Sequence, residues 1–157
     1  MLPGIRVHDL ITNIDERGSF TELLRLDWAD FFQNDVIRQI NRSISDPGVI
    51  RAWHRHLKGQ IDYICCVKGS IKVCAYDGID GSRTKGQIDE ILIEGEHPKI
   101  IRMPGYYWHG TKCIGDKPSI VMYFITNLYD YKNPDEERKP WDDPEIIDLR
   151  TGRKYVW

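Results

Sequence analysis

Apolar residues in this chain come in short runs, not in helical stripes. Runs at 19–24, 36–40, 49–53, 61–67, 70–76, 88–93, 99–103, 108–114 and 120–126 are rich in β-branched and aromatic residues, and each has the length of a strand. Turn-forming residues separate them: Asp46-Pro47-Gly48, Lys68-Gly69-Ser70, the stretch 77–86, Glu94-Gly95-Glu96 and Pro104-Gly105. Short strands at this spacing predict an all-β sandwich or barrel, with Lys68-Gly69-Ser70 as the tightest hairpin. Only 27–34 carries an amphipathic helical pattern, and it is short. No repeat, low-complexity tract or linker divides the chain, so a single domain over residues 1–157 is expected. The tail from Asn133 onward is polar and proline-punctuated, and is expected either to wrap over the barrel or a neighbouring subunit, or to fray.

Composition narrows the function classes by exclusion. The chain is 41% hydrophobic and 29% charged, and 22 basic against 24 acidic residues leave a net charge of −2. That balance makes no field for nucleic acid or an anionic membrane, so a phosphate-bearing ligand needs a local cluster of cations. No stretch approaches the roughly 20 apolar residues of a spanning helix, and Met1-Leu2-Pro3-Gly4 lacks a leader pattern, so a cytoplasmic protein is expected. The four cysteines form no CxxC. Cys65, Cys66 and Cys74 sit within apolar runs and Cys113 at the end of one, which predicts free thiols.

Polar chemistry concentrates in two places. Arg51, His54, Arg55, His56, Lys58, Gln60 and Asp62 fall where one strand leaves and the next begins, and alternation puts His54 and His56 on one strand face. Such polarity is costly on an inward face unless it is used. A further histidine, His109, follows the Pro104-Gly105 turn, whereas His8 and His97 are expected to be structural or surface residues. The second group is Tyr123 with Thr126, Asn127, Tyr129 and Tyr131 at the end of the last strong run. Tyr123 follows an apolar run that belongs inside the barrel, so its hydroxyl needs an internal partner and is a candidate proton donor.

In order along the chain, several motifs resemble those of the dTDP-4-dehydrorhamnose 3,5-epimerase family. Asp15-Glu16-Arg17-Gly18-Ser19-Phe20-Thr21-Glu22 is similar to its D-x-R-G-x-F-x-E opening, and Gln39-Ile40-Asn41-Arg42-Ser43 to its Q-x-N-x-S segment. Pro47-Gly48-Val49-Ile50-Arg51-Ala52-Trp53-His54 resembles G-V-L-R-G-L-H, and Met103-Pro104-Gly105 through His109-Gly110 resembles I-P-x-G-F-A-H-G. Val121-Met122-Tyr123 through Tyr129 is similar to V-x-Y-x-x-T-x-x-Y, and Pro134 through Arg138 with Trp141 to Pro144 to P-E-x-E-R … W-x-D-P.

The resemblance implies a homodimeric cupin, a double-stranded β-helix of jelly-roll type with a short helix and a polar C-terminal tail. It implies a nucleotide-linked 4-keto-6-deoxyhexose as substrate, a dTDP-sugar foremost. His54 is then the base beside the C4 ketone and Tyr123 the acid on the opposite face. Arg17, Glu22, Gln39, Asn41, Arg51, His56, Gln60, His109 and Tyr129 are assigned to binding the nucleotide, phosphates and sugar. Arginine forks suit a diphosphate. No cofactor and no stoichiometric metal are expected.

Two departures from the family pattern stand out. Where the family places the lysine that stabilises the enolate, this chain has Asp62, with Lys58 and Lys72 as candidate replacements. The chain also ends at Trp157, before the stretch that supplies the family's aspartate partner to the base. Arg51 through Gln60 with His56 also resembles the R-G-x-H-A-H-x-x-x-Q segment of nucleotide-sugar 3,4-ketoisomerases. His54, His56, Asp62 and His109 resemble the metal set of the wider cupin superfamily, and a non-catalytic sugar-nucleotide-binding protein is the third alternative.

Overall fold

The computed structural model describes all of residues 1–157. In chain order the elements are β1 (Arg6–Asp9), β2 (Thr12–Asp15), β3 (Gly18–Thr21), α1 (Ala29–Phe32), β4 (Gln39–Ser45), β5 (Ile50–His56), β6 (Ile61–Lys68) and β7 (Ser70–Tyr76). They continue as β8 (Ile88–Glu94), β9 (Lys99–Pro104), β10 (Trp108–Cys113), β11 (Ser119–Ile125), β12 (Glu136–Arg138), β13 (Ile147–Asp148) and β14 (Arg153–Lys154). Two five-stranded antiparallel sheets carry the fold, in the orders β1-β9-β6-β11-β4 and β12-β5-β10-β7-β8. No helix is long and apolar enough to cross a membrane.

Side-chain alternation explains why the central strands read as unbroken apolar runs. On β6, Ile64 and Cys66 join the core between the sheets with Ile71, Val73, Ile93, Ile101, Met103 and Val121. The intervening Tyr63 and Cys65 point to the outer face of the first sheet, where Phe31 and Phe32 of α1 cover them with Leu10 and Ile100. Phe32 stacks on Tyr63 with ring centroids 4.6 Å apart. The Tyr63 hydroxyl donates to Asp35 at 2.6 Å, and Arg102 donates to the same carboxylate at 2.7 Å. Burying each phenylalanine stabilises the fold by about 1.5–3 kcal/mol, which accounts for a helix of one turn surviving here.

The tail does not fray. It wraps over the barrel: β12 adds to the edge of β5, and Ile146, Tyr155 and Trp157 pack on Trp53, Cys74 and Trp108 across the outer face of the second sheet. Trp157 lies 4.6 Å from Trp53, ring to ring.

Several sequence expectations need correction. Lys68-Gly69-Ser70 is not a hairpin, because β6 pairs with β9 and β11 while β7 pairs with β8 and β10. Gly69, at φ +73°, is a corner at which the chain crosses between sheets, and a Cβ there would lie 2.9 Å from the Pro118 carbonyl. The run at 36–40 starts late: Val36 is exposed and the strand begins at Gln39, extending to Ser45. The run at 19–24 belongs to a separate β2–β3 hairpin. β1 and the three short C-terminal strands had no clear alternating pattern to announce them.

Candidate active site

One end of the barrel is filled by the apolar core; another region between the sheets opens into a cavity of about 980 Å³. His54 and His56 from β5 line it, as do Gln60, Asp62 on β6, Tyr123 on β11 and Tyr129 beyond it. His54 and Tyr123 therefore reach the same space from opposite sheets.

Two glycines let these elements approach. Gly110 follows His109 on β10, and a Cβ on it would fall 2.3 Å from the Ala52 Cβ and 2.6 Å from the Arg51 carbonyl. Only glycine lets β10 press so closely on β5, and the register there sets His109 directly opposite His54, with ring centroids 4.3 Å apart. Gly105 closes the other side. Its carbonyl accepts from the His56 N–H at 2.6 Å, its own N–H donates to the Gln60 carbonyl at 2.9 Å, and a Cβ would fall 2.4 Å from that carbonyl oxygen.

The buried polar set is tightly connected. His109 Nδ1 donates to the Tyr107 carbonyl at 2.8 Å, which leaves Nε2 facing Asp62 Oδ2 at 3.4 Å. His56 Nε2 lies 3.6 Å from the same oxygen, and the Gln60 amide bridges the pair, 2.7 Å from Asp62 Oδ1 and 3.2 Å from His56 Nε2. Burial pushes the Asp62 carboxyl pKa up, but His109 and His56 outweigh it and hold the group well below the usual carboxylate range. Burial likewise works to lower His56, yet Asp62 prevails and raises it. His54 goes the other way: burial, reinforced by His109, drives its pKa well below 6.5 and keeps it an unprotonated imidazole at neutral pH. Burial raises the Tyr123 phenol, with the Ser43 and Thr111 hydroxyls working against that rise, so it remains protonated.

Cations surround the mouth. Arg38, Arg42, Arg51, Lys58, Arg138 and Lys139 line the cavity alongside Asp62, Asp130, Asp135 and Glu136. Arg138 is paired to Glu136, and Lys139 to Asp143 and Glu145, so Arg38, Arg42 and Arg51 are the cations best placed for a polyanionic ligand. Arg51 is oriented by Ser45 Oγ at 2.9 Å and by the Ile44 carbonyl at 3.1 Å. Arg38, Arg42, Arg138 and Lys139 escaped the sequence reading. Arg138 had a signal in the closing motif, but only the pairing of β12 with β5 reveals that it stands opposite His54.

Not every expected residue arrives. Arg17 is paired with Asp15 on the β2–β3 hairpin, and Glu22 with Arg25, both away from this cavity. Gln39 supports it from behind, bonded to Asn41 at 2.8 Å and to the Tyr129 N–H at 2.9 Å. His109 is almost fully buried behind His54 and does not line the cavity. Lys72 is eliminated as a replacement for the family lysine, since it lies over Tyr155 on the outer face, bonded to Glu90 at 3.0 Å. Lys58 does line the cavity, with its ammonium bonded to the Asn133 carbonyl at 2.9 Å.

Comparison with known proteins agrees with this architecture. The sequence profile described as dTDP-4-dehydrorhamnose 3,5-epimerase matches residues 1–150. A probable low-salt glycan biosynthesis epimerase of Haloferax volcanii is 46% identical over 138 residues, covering 88% of this chain and 87% of that protein. The spore coat polysaccharide biosynthesis protein SpsL of Bacillus subtilis is 36% identical over 146 residues, covering 93% and 94%. Among solved structures, the RmlC epimerase of Mycobacterium tuberculosis superposes with a TM-score of 0.81 at 30% identity, covering 94% of this chain and 74% of that one. A cupin barrel with these motifs in this order, matched over nearly its whole length, belongs to the dTDP-4-dehydrorhamnose 3,5-epimerase family.

Proposed function

We propose that this chain is a sugar-nucleotide epimerase that inverts carbon next to the C4 ketone of a nucleotide-linked 4-keto-6-deoxyhexose, with a dTDP-sugar as the first candidate. The observation that carries this reading is the placement of His54 and Tyr123 on one cavity from opposite sheets. Inversion requires a proton to leave one face of the carbon and another to arrive on the other face. A neutral, half-buried imidazole is a competent acceptor, and a protonated phenol across the cavity is a competent donor. After turnover His54 holds a proton and Tyr123 has lost one, and exchange with water restores both.

The cationic mouth takes the diphosphate. The cavity volume lies at the upper end of the range for small-molecule sites, which suits a sugar linked to a nucleotide. A ketoisomerase reading draws on His56 beside His54. The test is NMR of the product formed from dTDP-4-keto-6-deoxyglucose. A 4-ketone inverted at C3, C5 or both supports the proposal; a 3-ketone indicates the isomerase, and unchanged bound substrate a binding protein.

The same reading treats residues 1–157 as one domain and the active species as a homodimer. Ile11, Ile14 and Phe20 around the β2–β3 hairpin, with Ile40 and Ile44 on the edge strand β4, form an exposed apolar set that a second copy would cover. In such a dimer the hairpin's Arg17 and Glu22 reach the partner's cavity, which reconciles their motif with their distance from their own.

A further inference from the structure

Two hydroxyls gather around the Tyr123 phenol, one from each sheet. Between β4 and β11, Tyr123 stands directly opposite Asn41 and Val121 opposite Ser43, so Ser43 is the diagonal neighbour of Tyr123. Diagonal positions on one face lie within reach of a side chain as long as tyrosine. Ser43 and Tyr123 both line the cavity, and Tyr123 packs against the core between the sheets. Thr111 comes from β10 in the facing sheet, where it is buried and paired in register with Arg51.

These hydroxyls bear on the phenol. Burial raises the Tyr123 pKa, and Ser43 and Thr111 oppose that rise, as donors to a phenolate oxygen do. Ser43 Oγ is nevertheless buried without a hydrogen-bond partner. Buried hydroxyls are rarely left so. A phenol oxygen must place its own proton and has limited room to accept, whereas a phenolate accepts from several donors at once. The unmade bond at Ser43 therefore belongs to the ionised state of Tyr123. The charged and titratable groups facing Tyr123 do not take this place. Asp62 on β6 works to raise the phenol, and His54 stands across the cavity. Arg51 on β5 works to lower it, but its guanidinium already donates to Ser45 Oγ and the Ile44 carbonyl. β4 sets only the uncharged Asn41 directly opposite.

We propose that Ser43 and Thr111 are positioning residues for the acid, a donor pair that receives the negative charge Tyr123 takes on when it protonates the substrate. In that step the phenol O–H bond breaks, and its proton forms the new C–H bond with the electron pair of the enolate. The C4 carbonyl is restored, and the O–H electrons stay on Tyr123 as a phenolate. Ser43 Oγ–H and Thr111 Oγ1–H then both donate to that oxygen, which eases delivery from a phenol that burial alone would hold too weakly acidic. The inference deepens the epimerase reading and rests on it.

The test has one arm without substrate and one with it. 3-Fluorotyrosine placed at position 123, which titrates below tyrosine, is followed by ¹⁹F NMR against pH in the full chain. Ser43→Ala and Thr111→Val should each raise its midpoint by about one unit, the loss of one hydrogen bond to a charged group. Ser43→Thr and Thr111→Ser keep a hydroxyl and should keep the midpoint, which separates the hydroxyl from packing. Unmoved midpoints in Ser43→Ala and Thr111→Val overturn the donor pair. With dTDP-4-keto-6-deoxyglucose in D₂O and unlabelled protein, inversion should fall about tenfold in each of these two variants while deuterium exchange driven by His54 stays within about twofold. Equal loss of exchange and inversion, or a raised midpoint with undiminished inversion, overturns their part in proton delivery. No turnover by the unmodified chain overturns the epimerase reading instead, and the fluorine midpoints then judge the donor pair alone.

Discussion

Asp62 on β6 and His109 on β10 meet across the barrel, 3.4 Å apart, although their strands belong to different sheets. This contact ties the two sheets together behind the cavity, which Asp62 lines and His109 does not. His109 in turn backs His54, with ring centroids 4.3 Å apart.

The division of labour between base and acid has a kinetic signature. In Tyr123→Phe, abstraction by His54 persists while delivery from the opposite face fails. Solvent exchange should continue within about tenfold of the unmodified rate, with inverted product falling by about 10²–10⁴. Equal loss of both steps removes Tyr123 as the acid.

The close approach at Gly110 sets His109 opposite His54, and Gly110→Ala places a methyl where the Ala52 Cβ and the Arg51 carbonyl already stand. A destabilisation of about 1–3 kcal/mol is expected by urea denaturation, as overpacking usually costs. Unchanged stability would mean that β5 and β10 separate freely.

For the dimer, Ile44→Glu puts a charge in the exposed apolar row of β4 without disturbing the core. Sedimentation at micromolar concentration should show a dimer for the unmodified chain and a monomer for the variant, with the β4 edge open to solvent. A monomeric unmodified chain contradicts the interface.

All four cysteines are buried and unpaired. Burial pushes the Cys65 and Cys74 thiols up to about 12 and Cys66 up to about 11, so hardly any thiolate exists near neutrality. A thiol-disulfide reagent should react slowly with the native protein and with four thiols after unfolding. Fast modification of the native chain would show the barrel opening locally.

Much of this molecule was legible in its sequence because strand alternation and turn residues are local signals. The central strands, the paired placement of His54 and His56, and the inward Tyr123 follow from them. The corner at Gly69 was misread because a tight turn between two apolar runs looks the same whether the strands pair or part to different sheets. Arg138 opposite His54, and the burial of His109 behind that base, depend on pairings between segments about 80 and 55 residues apart, which no local pattern encodes. Arg17 and Glu22 are legible as a motif, yet their position within one chain gives them no target.

The central claim is that His54 removes a proton next to a ketone. Incubating the protein with dTDP-4-keto-6-deoxyglucose in D₂O and following C3 and C5 by NMR tests it most directly. The account requires deuterium at one or both carbons, with inversion, and loss of at least about 10²-fold of that exchange in a folded His54→Asn variant. Exchange that survives unchanged in His54→Asn, or no exchange at either carbon across dTDP-, UDP- and GDP-linked 4-keto sugars, would contradict it.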